Sequence, residues 1–209
     1  MQVMLITYLG KQFFKIQRGD LTIALNPISK NSKHNKKIST FGANIVLINV
    51  NHPDFNGIDT VTYGDTKPFV ISGPGDYEIN GIFIKGIMTD GIIDGKKCIN
   101  TIYSLVVDNI NLCFLGSLFS KELTSEAREE IDNPDILFTL VGGSLNSSES
   151  YKLSTSFSPK VIIPMYYNDQ SLKTFLKEGG EEKIEMLDKL TIKKKDLEEK
   201  DDEIIVLNS

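Results

Sequence analysis

Two ionisable side chains in one short loop could carry chemistry: His52 and Asp54, within Ile48-Asn49-Val50-Asn51-His52-Pro53-Asp54-Phe55-Asn56-Gly57. The loop follows an apolar run at residues 45–48, and its Pro, Asn and Gly residues end that run. Loops at the end of a buried strand are where a rigid scaffold displays reactive groups. With Ser117 or Ser120 as nucleophile, His52 as base and Asp54 as orienting acid, the loop could complete a hydrolytic triad. Gly116-Ser117-Leu118 is not a nucleophile elbow, which counts against that arrangement. Asp76 and Glu78 form a second carboxylate pair, but residues two apart share a strand face anyway, so a surface or structural role fits them. His34 sits among Lys30, Lys33, Lys36 and Lys37 in a polar loop and reads as solvated, as do Lys193, Lys194 and Lys195 before an acidic run. The glycines around Gly73-Pro74-Gly75 lack the Gly-Lys-Ser/Thr ending of a phosphate cradle and mark a chain reversal instead.

These groups need a scaffold, and the composition supplies enough apolar residues for one. A chain of 209 residues, 40% hydrophobic, can bury one sizeable core, which predicts a single domain over residues 1–209. The net charge of −5 and pI near 5.2 disfavour nucleic acid and anionic lipid as partners, because both would be repelled at long range. Cys98 and Cys113 are too few for a disulfide framework or a cysteine zinc site, so both read as core thiols in a reducing, cytoplasmic setting. Residues 1–10 lack the basic head and long apolar stretch of a signal peptide and read as a strand, and no run approaches the ~20 apolar residues of a membrane span.

In chain order, residues 2–8, 13–18 and 21–25 read as strands, with a tight turn at Gly19-Asp20 and an end at Asn26-Pro27. A polar loop runs to about Thr40, and residues 43–50 form a continuous apolar strand leading into the His52 loop. Residues 60–63 and 68–72 read as short strands, residues 73–81 as a turn entering a strand at 82–84, and residues 86–95 as a loop. Residues 99–107 and 110–115 form a hairpin about Asp108-Asn109. The period then changes: helices are predicted at 124–131 with Thr124 as N-cap, at 147–157, and at 170–177 with a stop at Gly179-Gly180. Strands are predicted between and after them at 136–141, 160–163, 184–186, 190–193 and 204–207. A strand-rich half followed by alternating helices and strands suits an α/β chain of stacked sheets with helices outside.

Five segments, in this order, carry a resemblance that spans nearly the whole chain. Leu9-Gly10, the His52 loop, Gly73-Pro74-Gly75-Asp76-Tyr77-Glu78-Ile79, Leu115-Gly116 and Val161-Ile162-Ile163-Pro164-Met165 resemble the metallo-β-lactamase superfamily, in its branch of zinc-dependent hydrolases similar to L-ascorbate-6-phosphate lactonase. Lys189-Leu190-Thr191-Ile192 is similar to that branch's closing strand. The resemblance implies a four-layer αββα sandwich with its site at one edge of the two sheets. It also implies an H-x-H-x-D-H loop gripping one or two zinc ions, of which this chain keeps His52 and Asp54 but has Val50 and Phe55 at the other two histidine positions. Lys11 stands where relatives carry a histidine, Asn26 where they carry an aspartate, Ser117 at the aspartate of a Gly-Asp pair and Tyr166 at a further histidine; one turn past Ser117, Phe119 and Ser120 are poor ligands.

Hydrolytic zinc needs about three protein ligands and an open position for water, so two ligands predict a lost metal centre and no cofactor. Val50, Phe55 and Tyr166 are expected to fill the space of the missing ion. Removing zinc would leave Asp54 a partly buried carboxylate without a counter-charge, so either the Lys11 ammonium pairs with it, with Tyr166 or Asn26 adding a hydrogen bond, or Lys11 points to solvent as lysines commonly do. The expectation for function is a non-catalytic protein acting by binding or assembly, with a protein or small-ligand partner or a second copy of itself. The alternatives are a residual hydrolase using His52 and Asp54 with Asp90 or Asp94 around one zinc, and a nucleic-acid partner at the Lys30 loop.

Overall fold

The computed structural model describes residues 3–34, 40–65, 67–131, 133–182 and 184–209; Lys36 and Lys37 of the basic loop lie outside them. Alternation of buried and half-buried residues through β1 (Met4–Tyr8) and the first four residues of β2 (Phe14–Arg18) turns Met4, Ile6, Tyr8, Phe14 and Ile16 to one face. With β3 (Leu21–Leu25), β4 (Ile45–Leu47) and β5 (Phe69–Ile71) they build a sheet whose far edge is β12 (Leu190–Ile192), in the order β12-β1-β2-β3-β4-β5. The second sheet runs β13-β11-β10-β9-β8-β7-β6, from β13 (Glu203–Ile204), β11 (Val161–Met165), β10 (Ile136–Leu140), β9 (Ile110–Phe114), β8 (Lys96–Val107) and β7 (Ile82–Ile93) to β6 (Gly75–Ile79). The parallel strands β10 and β11 are buried at every residue where helices cover the sheet, so they read as apolar runs broken only by Thr139.

The main core lies between the sheets, where Phe14 meets Phe138 edge-on with ring centroids 4.8 Å apart. The Tyr103 hydroxyl crosses that core to donate to the carbonyls of Ile48 (2.9 Å) or Ile71 (3.2 Å) at the ends of β4 and β5. Three helices sit outside the second sheet: α1 (Ser125–Glu130), α2 (Ser147–Thr155) and α3 (Asp169–Glu178). Each begins at a side-chain cap, Thr124, Asn146 or Asn168, that accepts an otherwise unpaired backbone N–H. The outer face of the first sheet is covered by a 3-10 turn (Ile58–Thr60) and its flanking loops, with Phe13, Ile28, Val46 and Val61 beneath. The architecture is the expected αββα sandwich, with this outer layer reduced to one short turn among the described residues.

Several local expectations are corrected. Residues 75–79 are strand β6, not part of a turn, and residues 86–93 continue β7, so the expected loop shrinks to Asp94-Gly95, both with positive φ. Gly86 and Gly91 look like strand breakers but serve close approach: a Cβ would come within 2.8 Å of the Gly73 carbonyl at the first and 2.9 Å of the Asn100 Cβ at the second. The strand expected at 43–50 spans only Ile45–Leu47, the strand expected at 60–63 is absent there, Thr60 ending the 3-10 turn, and Leu187 forms one bridge with Leu207 where a strand at 184–186 was expected. Cys113 is buried but Cys98 is only half-buried, and Lys194 is not merely solvated, since its ammonium lies 2.7 Å from both oxygens of the buried Asp135.

Candidate functional site

Loops from both sheets meet at one end of the sandwich. Lys11 and Gln12 follow β1, Asn26 follows β3, the His52 loop follows β4, Ser117 follows β9 and Tyr166 follows β11. The Lys11 Nζ lies 2.6 Å from Asp54 Oδ2, with side-chain exposures of 17% and 11%. The Ser32 hydroxyl donates to Asp54 Oδ1 and the Lys11 ammonium lies 5.4 Å from the centre of the Tyr166 ring. The expected Lys11–Asp54 pair is therefore present. The expected helpers are not: Ser32 supplies the hydrogen bond, Tyr166 offers its ring face, and Asn26 is engaged elsewhere.

Burial opposes ionisation of Asp54, but the hydrogen bonds from Lys11 and Ser32, with the charges of Lys11 and His34, outweigh it and hold the carboxyl below its ordinary value. A carboxyl with a depressed folded pKa stabilises the fold above its unfolded pKa and loses that contribution as pH falls through the folded value. Urea unfolding of the wild type is expected to lose stability below about pH 4 more steeply than Asp54→Asn does; parallel pH curves for the two would contradict the pairing.

Behind this pair lies a chain of buried amides. Gln12 Nε2 donates to the Ser117 hydroxyl (2.9 Å), Asn26 Nδ2 donates to Gln12 Oε1 (2.9 Å), and the Asn49 N–H donates to Asn26 Oδ1 (2.8 Å). The Asn49 amide donates to the Thr101 carbonyl, and Asn100 Oδ1 accepts from the Ser117 N–H (2.8 Å) while its amide donates to the Leu115 carbonyl (3.0 Å). All five side chains are at most 2% exposed. Gln12, Asn49, Asn100 and Ser32 were not singled out from the sequence; the one available signal was an amide, Gln12, set between Lys11 and the apolar Phe13.

The backbone here is strained at several points. Lys11, Asn26 and Tyr166 all have positive φ, at 54°, 44° and 57°, as does Gly116 at 66°. For a tyrosine and a lysine this conformation is costly and persists only where surroundings enforce it. They do so through the Tyr166 N–H, which donates to the Lys11 carbonyl (2.8 Å), an acceptor shared with the Tyr8 hydroxyl (2.7 Å).

The family model described as the beta-lactamase superfamily domain matches residues 5–166. A crystal structure of a proposed Zn-dependent hydrolase of the metallo-β-lactamase superfamily from Thermotoga maritima matches with a TM-score of 0.76 at 27% identity, covering 98% of both chains. The chain belongs to the metallo-β-lactamase superfamily. Two further structures share the superfamily fold: a proposed metal-dependent hydrolase from Parabacteroides distasonis (TM-score 0.64, 20% identity, covering 87% of this chain and 91% of that one) and a metallo hydrolase from Ignicoccus hospitalis (TM-score 0.61, 17% identity, 91% and 99%). No curated protein sequence matches the chain.

The donor atoms that a metal would need here are engaged with other groups of the protein. Zinc needs about four donors with free lone pairs. Here one Asp54 oxygen faces an ammonium and the other a hydroxyl, while His52 Nδ1 accepts the Asp54 N–H (3.2 Å) and its Nε2 faces Asp94 Oδ2 (3.3 Å). Among the described residues no three His, Cys, Asp or Glu side chains form a metal-holding group, so neither Asp90 nor Asp94 completes a set with His52 and Asp54. The triad is not assembled either, because His52 Nδ1 accepts the Asp54 N–H and its Nε2 faces Asp94, so neither ring nitrogen meets Ser117 or Ser120. Val50 and Phe55 are buried, and the Phe55 ring lies 6.3 Å from that of Tyr166. They do not fill the site as expected: a cavity of about 280 Å³ remains, lined by Gln12, Asp54, Phe55, Ser117, Leu140 and Tyr166 among others.

Proposed function

We propose that this chain is a non-catalytic member of the metallo-β-lactamase superfamily that acts by binding or assembly, with a degenerate metal site and no metal cofactor. One observation carries the reading: the Lys11 ammonium, 2.6 Å from Asp54 Oδ2, takes the lone pair that a hydrolytic metal would need. Lys11, Asn26, Val50, Phe55, Ser117 and Tyr166 are then replacements for ligands, and His52 and Asp54 the remnants. The remaining cavity suits a small ligand, and a protein partner or a second copy would use the surrounding surface in the cytoplasm. None of the described helices is long and apolar enough to cross a membrane. The net charge of −5 argues against nucleic acid as the partner.

The test is turnover of a phosphodiester, a lactone and an ester by protein supplied with zinc or manganese, before and after chelation. The expected result is no turnover that depends on metal. A second reading, a residual hydrolase, has in its favour that His52 and Asp54 stand together in one loop, the Asp54 N–H donating to His52 Nδ1; turnover abolished by chelation and by His52→Ala would select it.

A further inference from the structure

We propose that Asp54, Ser32 and the ring of Tyr166 form a binding site for a primary ammonium group, which Lys11 of the same chain fills. The inference rests on the reading above that the site holds no divalent metal, and it names the cation that the site does take. An alkylammonium ion has three N–H donors and a hydrocarbon stem; it is satisfied by a carboxylate oxygen together with an aromatic face. Asp54 Oδ2 and the Tyr166 ring present those two surfaces to one nitrogen, at 2.6 Å and at 5.4 Å from the ring centre. Ser32 fixes the carboxylate by donating to its second oxygen. An aromatic ring gives zinc no ligand, so the same surfaces discriminate against a divalent ion.

The tether is held in place independently of its charge. The Lys11 carbonyl accepts from the Tyr8 hydroxyl and the Tyr166 N–H, and these bonds keep the residue at φ 54° whatever side chain it bears. Tyr166 lines both the cavity of about 280 Å³ that Asp54 lines and another of about 350 Å³ that Lys11 lines. Truncating Lys11 therefore vacates the space beside the Asp54 carboxylate and leaves Ser32 and the Tyr166 ring in place. A free amine should then replace the tethered one.

The experiment measures melting of wild type, Lys11→Ala and the Lys11→Ala, Asp54→Asn double variant in sodium, ethylammonium and tetramethylammonium chloride at equal ionic strength, and in zinc. Lys11→Ala should melt about 3–8 °C below wild type, as expected for an unpaired, largely buried carboxylate in a chain of this size. Ethylammonium at ten times its Kd should return about 3–5 °C to Lys11→Ala, while tetramethylammonium, which has no N–H, and sodium should not. Neither wild type nor the double variant should respond. Equal effects of ethylammonium and sodium on Lys11→Ala, or a larger rise with zinc than with ethylammonium, overturn the assignment. If Lys11→Ala does not fold, Lys11→Met carries the test: adding Asp54→Asn should raise its melting temperature by removing the unpaired charge, and no rise overturns the proposal. Stoichiometric zinc on the wild type would instead contradict the metal-free reading, whatever the amines do.

Discussion

Gly116→Ala lowers the stability of this chain by about 4 kcal/mol or more, a loss that belongs to the rare severe class of single substitutions. The residue stands at φ 66°, where an added Cβ costs about 1–2 kcal/mol. That Cβ would also lie 2.4 Å from both Asn100 Oδ1 and Asn49 Nδ2. Neither amide can retreat cheaply, because Asn100 Oδ1 accepts the Ser117 N–H and Asn49 Nδ2 donates to the Thr101 carbonyl. Moving both amides orphans buried groups at about 1–3 kcal/mol each. Urea unfolding monitored by circular dichroism reads the loss, and a change under about 1 kcal/mol would show that the amides are not fixed as described.

Gln12→Met comes second, at about 2–5 kcal/mol. The thioether is close in length but offers neither the donor that reaches Ser117 nor the acceptor that Asn26 uses. Both partners are at most 1% exposed, so both are left unsatisfied away from water. The effect separates two accounts of this end of the fold. If the amides hold the loops together, the loss appears in protein stripped of metal and is unchanged by added zinc. A loss seen only in zinc-loaded protein would assign the cohesion to an ion.

The sheets were legible because their cause is local: alternation in β1 and β2 and apolar runs in β10 and β11 are properties of neighbours in sequence. The pair of Lys11 and Asp54 was legible for another reason, namely that a carboxylate kept at a metal position without its metal must find another cation. The amide chain was not legible. Gln12 and Ser117 are 105 residues apart, and nothing in either neighbourhood marks a partner so distant. The loop expected at residues 86–95 gives way to the arm of β7, in which Gly86 and Gly91 admit the Gly73 carbonyl and the Asn100 side chain. Ser32 was missed for a like reason, since its bond to Asp54 joins two loops that only the sheet brings together.

Elemental analysis of protein purified without added chelator or metal, repeated after incubation with zinc or manganese, tests the central claim most directly. Well under one equivalent of either metal is expected in every sample, because the Lys11 ammonium already neutralises Asp54. One equivalent of zinc, retained through dialysis and lost on His52→Ala, would contradict it.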